Sequence, residues 1–233
     1  LRLGYIEREN ARMDIEPPHG PIETWRDFFV HLVIITLGLL IALALEGVVG
    51  YIHERHLVHE ANANITSEMR DNQKDVEDSV KATGQYQQDM KHLIDLMEDV
   101  KAGKKLNGSV TITFEKADLN TASWKTAAAT GAIAYMRYRD VKRYEDIYGL
   151  QGDFELAQDR AMDSWANVYA PLMHFISQDK DEKAPARLTD AQLAQVDKIE
   201  EQTQLYIGRL IAVESIGKAL DRDYTRYLQH PNR

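Results

Sequence analysis

The sequence predicts an all-α protein: one N-terminal transmembrane helix continuing into a stalk and an antiparallel helical bundle. Three observations predict it. Residues 28–52 form a nearly uncharged apolar run. Beyond it, apolar residues thin to a single seam whose members alternate four and three apart, from Ile65 to Val100. Further along, two long stretches of helical periodicity flank a charged segment containing Pro185. The expected organisation is a tail (1–27), a membrane helix (28–52), a stalk (53–102), a connector (103–118), a bundle (119–229) and a short tail (230–233).

The run at 28–52 reads FFVHLVIITLGLLIALALEGVVGYI, in which only His31 and Glu46 can carry charge. At ~1.5 Å per residue it extends about 37 Å as a helix, enough to cross a ~30 Å hydrocarbon core with some tilt. It is apolar on all sides rather than along one stripe, which argues against a buried helix of a soluble fold. Trp25 and Tyr51 stand where interfacial aromatic residues belong. Ala42-Leu43-Ala44 fits a small-x-small cleavage pattern, but the apolar segment continues through Val48 and Val49. A retained signal-anchor is therefore expected. Met13 stands as an alternative start to Leu1. Arg8, Arg12 and Arg26 precede the segment, and Arg55 and Arg70 follow it. That bias places the N-terminus inside and the bulk of the chain, from His53 onward, on the extracytoplasmic side.

The seam of the stalk is Ile65, Met69, Asn72, Val76, Ser79, Thr83, Tyr86, Met90, Leu93, Met97 and Val100, with polar residues in its middle. It is expected to be buried, against the C-terminal helix or a second copy of itself. Gly103 followed by Lys104-Lys105-Leu106-Asn107-Gly108 marks a stop and a turn. Val110-Thr111-Ile112-Thr113-Phe114 alternates and is β-branched, but no second strand pattern exists to pair with it. It reads as an extended connector. A helix is expected to open at Asp118–Asn120 and carry Trp124 and a small-residue face of Ala127, Ala128 and Ala129, with Gly131 at its end. A longer one begins at Tyr138-Arg139-Asp140, with Val141, Tyr144, Ile147, Tyr148, Phe154, Leu156, Met162, Trp165 and Tyr169, and is kinked at Pro171. Residues 178–187 read as a loop. Thr189-Asp190-Ala191-Gln192 is a capping box, and the last helix carries Leu193, Val196, Ile199, Thr203, Ile207, Leu210, Val213, Ile216 and Leu220.

His19-Gly20-Pro21, Trp25-Arg26-Asp27-Phe28, Gly38-Leu39-Leu40-Ile41-Ala42 through Glu46, and the His-rich run that follows resemble a group of bacterial single-pass membrane proteins. The likeness is centred on the anchor and extends loosely through Trp124-x6-Gly131. It implies an inner-membrane protein and carries no activity.

Composition excludes several chemistries. The chain has no Cys, so disulfide scaffolds, thiolate metal sites and a cysteine nucleophile are out. A net charge of -9, from 28 Lys+Arg and 37 Asp+Glu, argues against a nucleic-acid partner. There is no Gly-rich phosphate loop, serine nucleophile motif or supported carboxylate pair. An enzyme is not expected, and no cofactor is implied.

The membrane segment carries one organised feature. Gly38, Ala42, Glu46 and Gly50 are four apart and share a face, with His31 and His53 near the same stripe. Small residues let membrane helices approach closely and polar ones bond across the contact. A carboxylate in this setting normally faces protein or a water cavity. The stripe is thus a candidate helix–helix interface, and a proton relay at Glu46 is the functional alternative. His53, His56 and His59 crowd the membrane exit. Their three-residue spacing makes a poor metal site within one chain, and headgroup contact or pH sensing remain as uses. Arg137, Arg139, Lys142 and Arg143 form a possible docking surface beside an aromatic region of Trp124, Tyr135, Tyr138, Tyr144, Tyr148, Trp165 and Tyr169. Those aromatic residues either pack a slim bundle or line a ligand pocket. The pattern favours a membrane-anchored structural or interaction protein, with the lipid bilayer and either itself or other membrane subunits as partners. The alternative is an extracytoplasmic ligand-binding or sensor module that signals through a partner.

Overall fold

A computed structural model describes residues 24–104, 111–178 and 188–230. Arg8, Arg12, Met13, the His19-Gly20-Pro21 motif, the turn residues 105–108, Val110 and most of the charged loop lie outside the described residues. The helices are α1 (Trp25–Lys101), α2 (Ala122–Ala129), α3 (Tyr138–Gln178) and α4 (Asp190–Gln229), with one 3-10 turn at Ala132–Tyr135. The chain divides into two compact units, Leu1–His53 and Glu54–Arg233.

In the first unit α1 opens on Thr24, whose Oγ1 donates to Asp27 Oδ2 at 2.7 Å and accepts from the Asp27 N–H at 3.3 Å. Trp25 stacks on Phe29, ring centroids 5.4 Å apart. Every residue from 25 to 53 is exposed. This part of α1 is long and apolar enough to cross a membrane. Leaving a large apolar side chain in water forgoes about 1.5–3 kcal/mol.

The second unit is built on three long helices. The seam of α1 is buried: Ile65, Met69, Asn72, Val76, Thr83, Met90, Leu93, Met97 and Val100 are all inside, with Ser79 and Tyr86 half-buried. The segment expected to be a stalk is therefore one wall of the same core that α3 and α4 close. Side-chain bonds set the directions. Tyr144 reaches Asn62, Tyr148 reaches Glu68 and Gln151 reaches Asn72, so α1 and α3 run parallel. Gln73 bonds Asp221 and Thr225, Gln87 bonds Glu214, and Lys101 bonds Asp197 and Glu200, so α4 runs antiparallel to α1. Tyr224 on Gln151 and Tyr227 on Tyr144 make it antiparallel to α3 as well.

Two parallel helices need a return between them, and an extended strap supplies it. Residues 111–121 carry no helix, and α2 begins at Ala122 rather than at Asp118–Asn120. Ile112 and Leu119 are buried. The missing strand partner is replaced by two amide side chains. Gln158 of α3 accepts from the Ala117 N–H at 2.7 Å and donates to its carbonyl at 3.5 Å. Asn72 of α1 accepts from the Asn120 N–H at 2.8 Å and donates to its carbonyl at 2.7 Å. Each amide presents donor and acceptor together, as a neighbouring strand would.

The helix ends follow local rules. Gly103 adopts φ 78°, its N–H bonds the Val100 carbonyl and the Lys104 N–H bonds the Asp99 carbonyl, a Schellman stop. The capping box at Thr189 and Gln192 is formed. Helix α3 continues through Pro171, and Gln195 of α4 donates to the Pro171 carbonyl at 3.4 Å. On α4, Gly217 lies under Phe154 and Val80: a methyl group in place of its hydrogen would sit 2.9 Å from Phe154 Cε2 and 2.5 Å from Val80 Cγ2.

Candidate functional site

The small-residue stripe lies along the apolar part of α1 as its spacing implies. Gly38, Ala42, Glu46 and Gly50 are exposed, as are His31 and His53. A Cβ built at Gly38 or Gly50 would meet nothing within 4 Å. His31 Nδ1 lies 2.7 Å from the Asp27 carbonyl, so that nitrogen carries the proton. His53, His56 and His59 are each exposed, and no group of three His, Asp or Glu side chains is placed to hold a metal among the described residues.

The basic cluster is divided by the fold. Arg139, Lys142 and Arg143 line a groove of about 370 Å³ together with Asp146 and Ile147 of α3 and Asp223, Arg226 and Tyr227 of α4. Arg137 is not among its lining residues; it pairs with Asp140 at 2.7 Å. Arg143 donates to the His230 carbonyl at 3.2 Å and its guanidinium lies 5.9 Å from the centre of the Tyr227 ring. Arg226 pairs with Asp223 at 2.9 Å. Sequence reading missed Arg226, Asp223 and Tyr227, because nothing along the chain says that the end of α4 lies beside the start of α3.

Tyr227 joins the groove to a buried polar network. Tyr148 donates to Glu68 Oε1 at 2.5 Å, and the Ser123 N–H donates to Glu68 Oε2 at 2.7 Å. Tyr224 and Asn72 both donate to Gln151 Oε1, at 2.9 and 3.2 Å. Tyr144 donates to Asn62 Oδ1 at 2.8 Å and lies 2.9 Å from the Tyr227 hydroxyl, itself 3.0 Å from Thr66 Oγ1. Burial raises the phenol pKa of Tyr144, Tyr148 and Tyr224, and the neighbouring Tyr227 and Glu68 raise the first two further. Tyr206 is raised by burial too, and its hydroxyl has no partner among the described residues.

The aromatic residues are largely occupied by one another. Trp124 stacks on Tyr148 at 5.6 Å between centroids and Trp165 on Tyr169 at 5.1 Å. Tyr135 and Tyr138 are the exceptions, 51% and 82% exposed. Comparison with protein families, with curated proteins and with solved structures finds no match.

Proposed function

We propose that the chain is a membrane-anchored structural or interaction protein, a homo-oligomer or an accessory subunit of a larger bacterial membrane complex. One observation carries this reading: the face holding Gly38, Ala42, Glu46 and Gly50 is exposed and has no partner among the described residues, whereas the second unit closes its core on itself. Lipid offers no hydrophobic drive between helices, so association in it depends on close packing and on polar bonds. Small residues supply the first and Glu46 the second. Against lipid alone, an ionised Glu46 costs on the order of a few kcal/mol, set by its depth.

The test is the native mass of the full chain extracted in mild detergent, with co-purifying subunits identified. Gly38→Ile and Ala42→Ile should shrink the assembly, and Leu39→Ile, off the stripe, should leave it intact. An unchanged assembly in both stripe variants refutes the reading. The anchor is oriented with the Glu54–Arg233 unit outside, from the arginine bias at its flanks; protection of that unit from protease added to intact spheroplasts would reverse this.

A further inference from the structure

We propose that one end of the Glu54–Arg233 unit is a seat for anionic phospholipid headgroups, with the groove between α3 and α4 taking the lipid phosphate. This rests on the membrane-anchored reading above.

The register of the helices defines that end. Tyr144 of α3 is level with Asn62 of α1, so by the parallel register the first turn of α3 is level with the first turns that α1 contributes to the unit. Leu57 and Glu60 line one cleft with Ala127 and Thr130, which places the α2–α3 junction there too. The end of α4 joins them through Tyr227 on Thr66 and the His230 carbonyl on Arg143. Chain connectivity does the rest. The apolar run ends at Ile52 and the unit begins at Glu54, so this is the end of the unit that is joined to the membrane segment.

Its chemistry matches that position. Four cations, Arg139, Lys142, Arg143 and Arg226, line the groove against two carboxylates, Asp146 and Asp223. This is a local excess of positive charge in a chain of net charge -9. Lys142 has no carboxylate partner among the described residues. Guanidinium groups suit phosphate because their planar fork meets two oxygens at once. Tyr135 and Tyr138, both exposed, stand at the α2–α3 junction, and amphipathic rings of this kind favour the headgroup region of a bilayer. An acidic protein partner would use the cations but would give no reason for two exposed tyrosines at the tethered end.

The experiment uses the full chain in nanodiscs of phosphatidylcholine mixed with phosphatidylglycerol, released for native mass spectrometry. Wild type should retain phosphatidylglycerol in preference to phosphatidylcholine. Each neutralised cation should weaken retention about fivefold, from ~1 kcal/mol per basic residue near an anionic surface. Arg139→Gln, Lys142→Gln and Arg226→Gln combined should therefore lose it about a hundredfold, with helix content unchanged by circular dichroism. Lys142→Gln alone, which breaks no ion pair, guards against misfolding of the triple variant and should show the single fivefold step. Equal retention of both lipids, unchanged retention in Lys142→Gln, or binding of inorganic phosphate with no lipid preference would each overturn the proposal. Release of wild type from membranes by alkaline carbonate would instead defeat the anchor reading, and the two failures are separately visible.

Discussion

Asn72 holds Asn120 by both backbone groups: Nδ2 donates to the carbonyl at 2.7 Å and Oδ1 accepts from the N–H at 2.8 Å. A single side chain on α1 thereby pins the strap that lets α1 and α3 run in the same direction. The same Nδ2 lies 3.2 Å from Gln151 Oε1, so the amide ties α1, α3 and the strap together.

Asn72→Leu keeps the size of the side chain and removes its three hydrogen bonds, two to Asn120 and one to Gln151. Unpaired groups in a partly buried site cost about 1–3 kcal/mol, so thermal unfolding of the detergent-solubilised chain should fall by roughly 4–8 °C. Hydrogen exchange should quicken at Asn120 and leave Ile199, deep in α4, at its wild-type rate relative to global unfolding. Undiminished protection at Asn120 would show that the strap is held by something else.

Two glycines of α4 should respond in opposite directions. Gly208 has open space where a Cβ would go, whereas at Gly217 a Cβ would run into Val80 and Phe154. Gly208→Ala should stabilise by about 0.5–1 kcal/mol through helix propensity. Gly217→Leu should destabilise by about 1–3 kcal/mol or more, because the core must open to admit the side chain. Denaturation midpoints of the two variants check this, and equal shifts would count against close packing at Gly217.

Alkaline pH should unfold the second unit cooperatively. Tyr144, Tyr148, Tyr206 and Tyr224 all have phenol pKa values raised above the ordinary value, first by burial. The unfolded chain releases these protons near pH 10 and the folded chain retains them. Stability is thus intact below that pH and falls above it, by about 1.4 kcal/mol per pH unit for each tyrosine that stays protonated in the fold. Phenolate absorbance for these four residues should appear in one step, together with loss of helical circular dichroism. Gradual ionisation with the helices intact would contradict the burial.

Much of the architecture is legible along the chain. The apolar run marks a segment long and apolar enough to cross a membrane, because all faces of a helix in lipid must be apolar. The seam from Ile65 to Val100 marks the buried face of α1, and Gly103, Thr189 and Gln192 mark helix ends through local bonds. The stripe of Gly38, Ala42, Glu46 and Gly50 is visible for the same reason: spacing alone determines what shares a helix face. Other features depend on residues far apart in sequence. Periodicity says which face is buried and not what covers it, so the C-terminal helix and a second copy stood as alternatives for the seam of α1, and α3 and α4 complete its core. The strap had no visible strand partner because its partners are side-chain amides, Asn72 lying 48 positions away and Gln158 lying 41. Tyr206, Tyr224 and Tyr227 are buried polar residues whose place is set by helices they meet only after folding. Arg226 joins Arg139, Lys142 and Arg143 only because antiparallel packing brings the end of α4 beside the start of α3. Helix faces are local properties of the chain, whereas the pairing of those faces is decided by the directions in which the helices run.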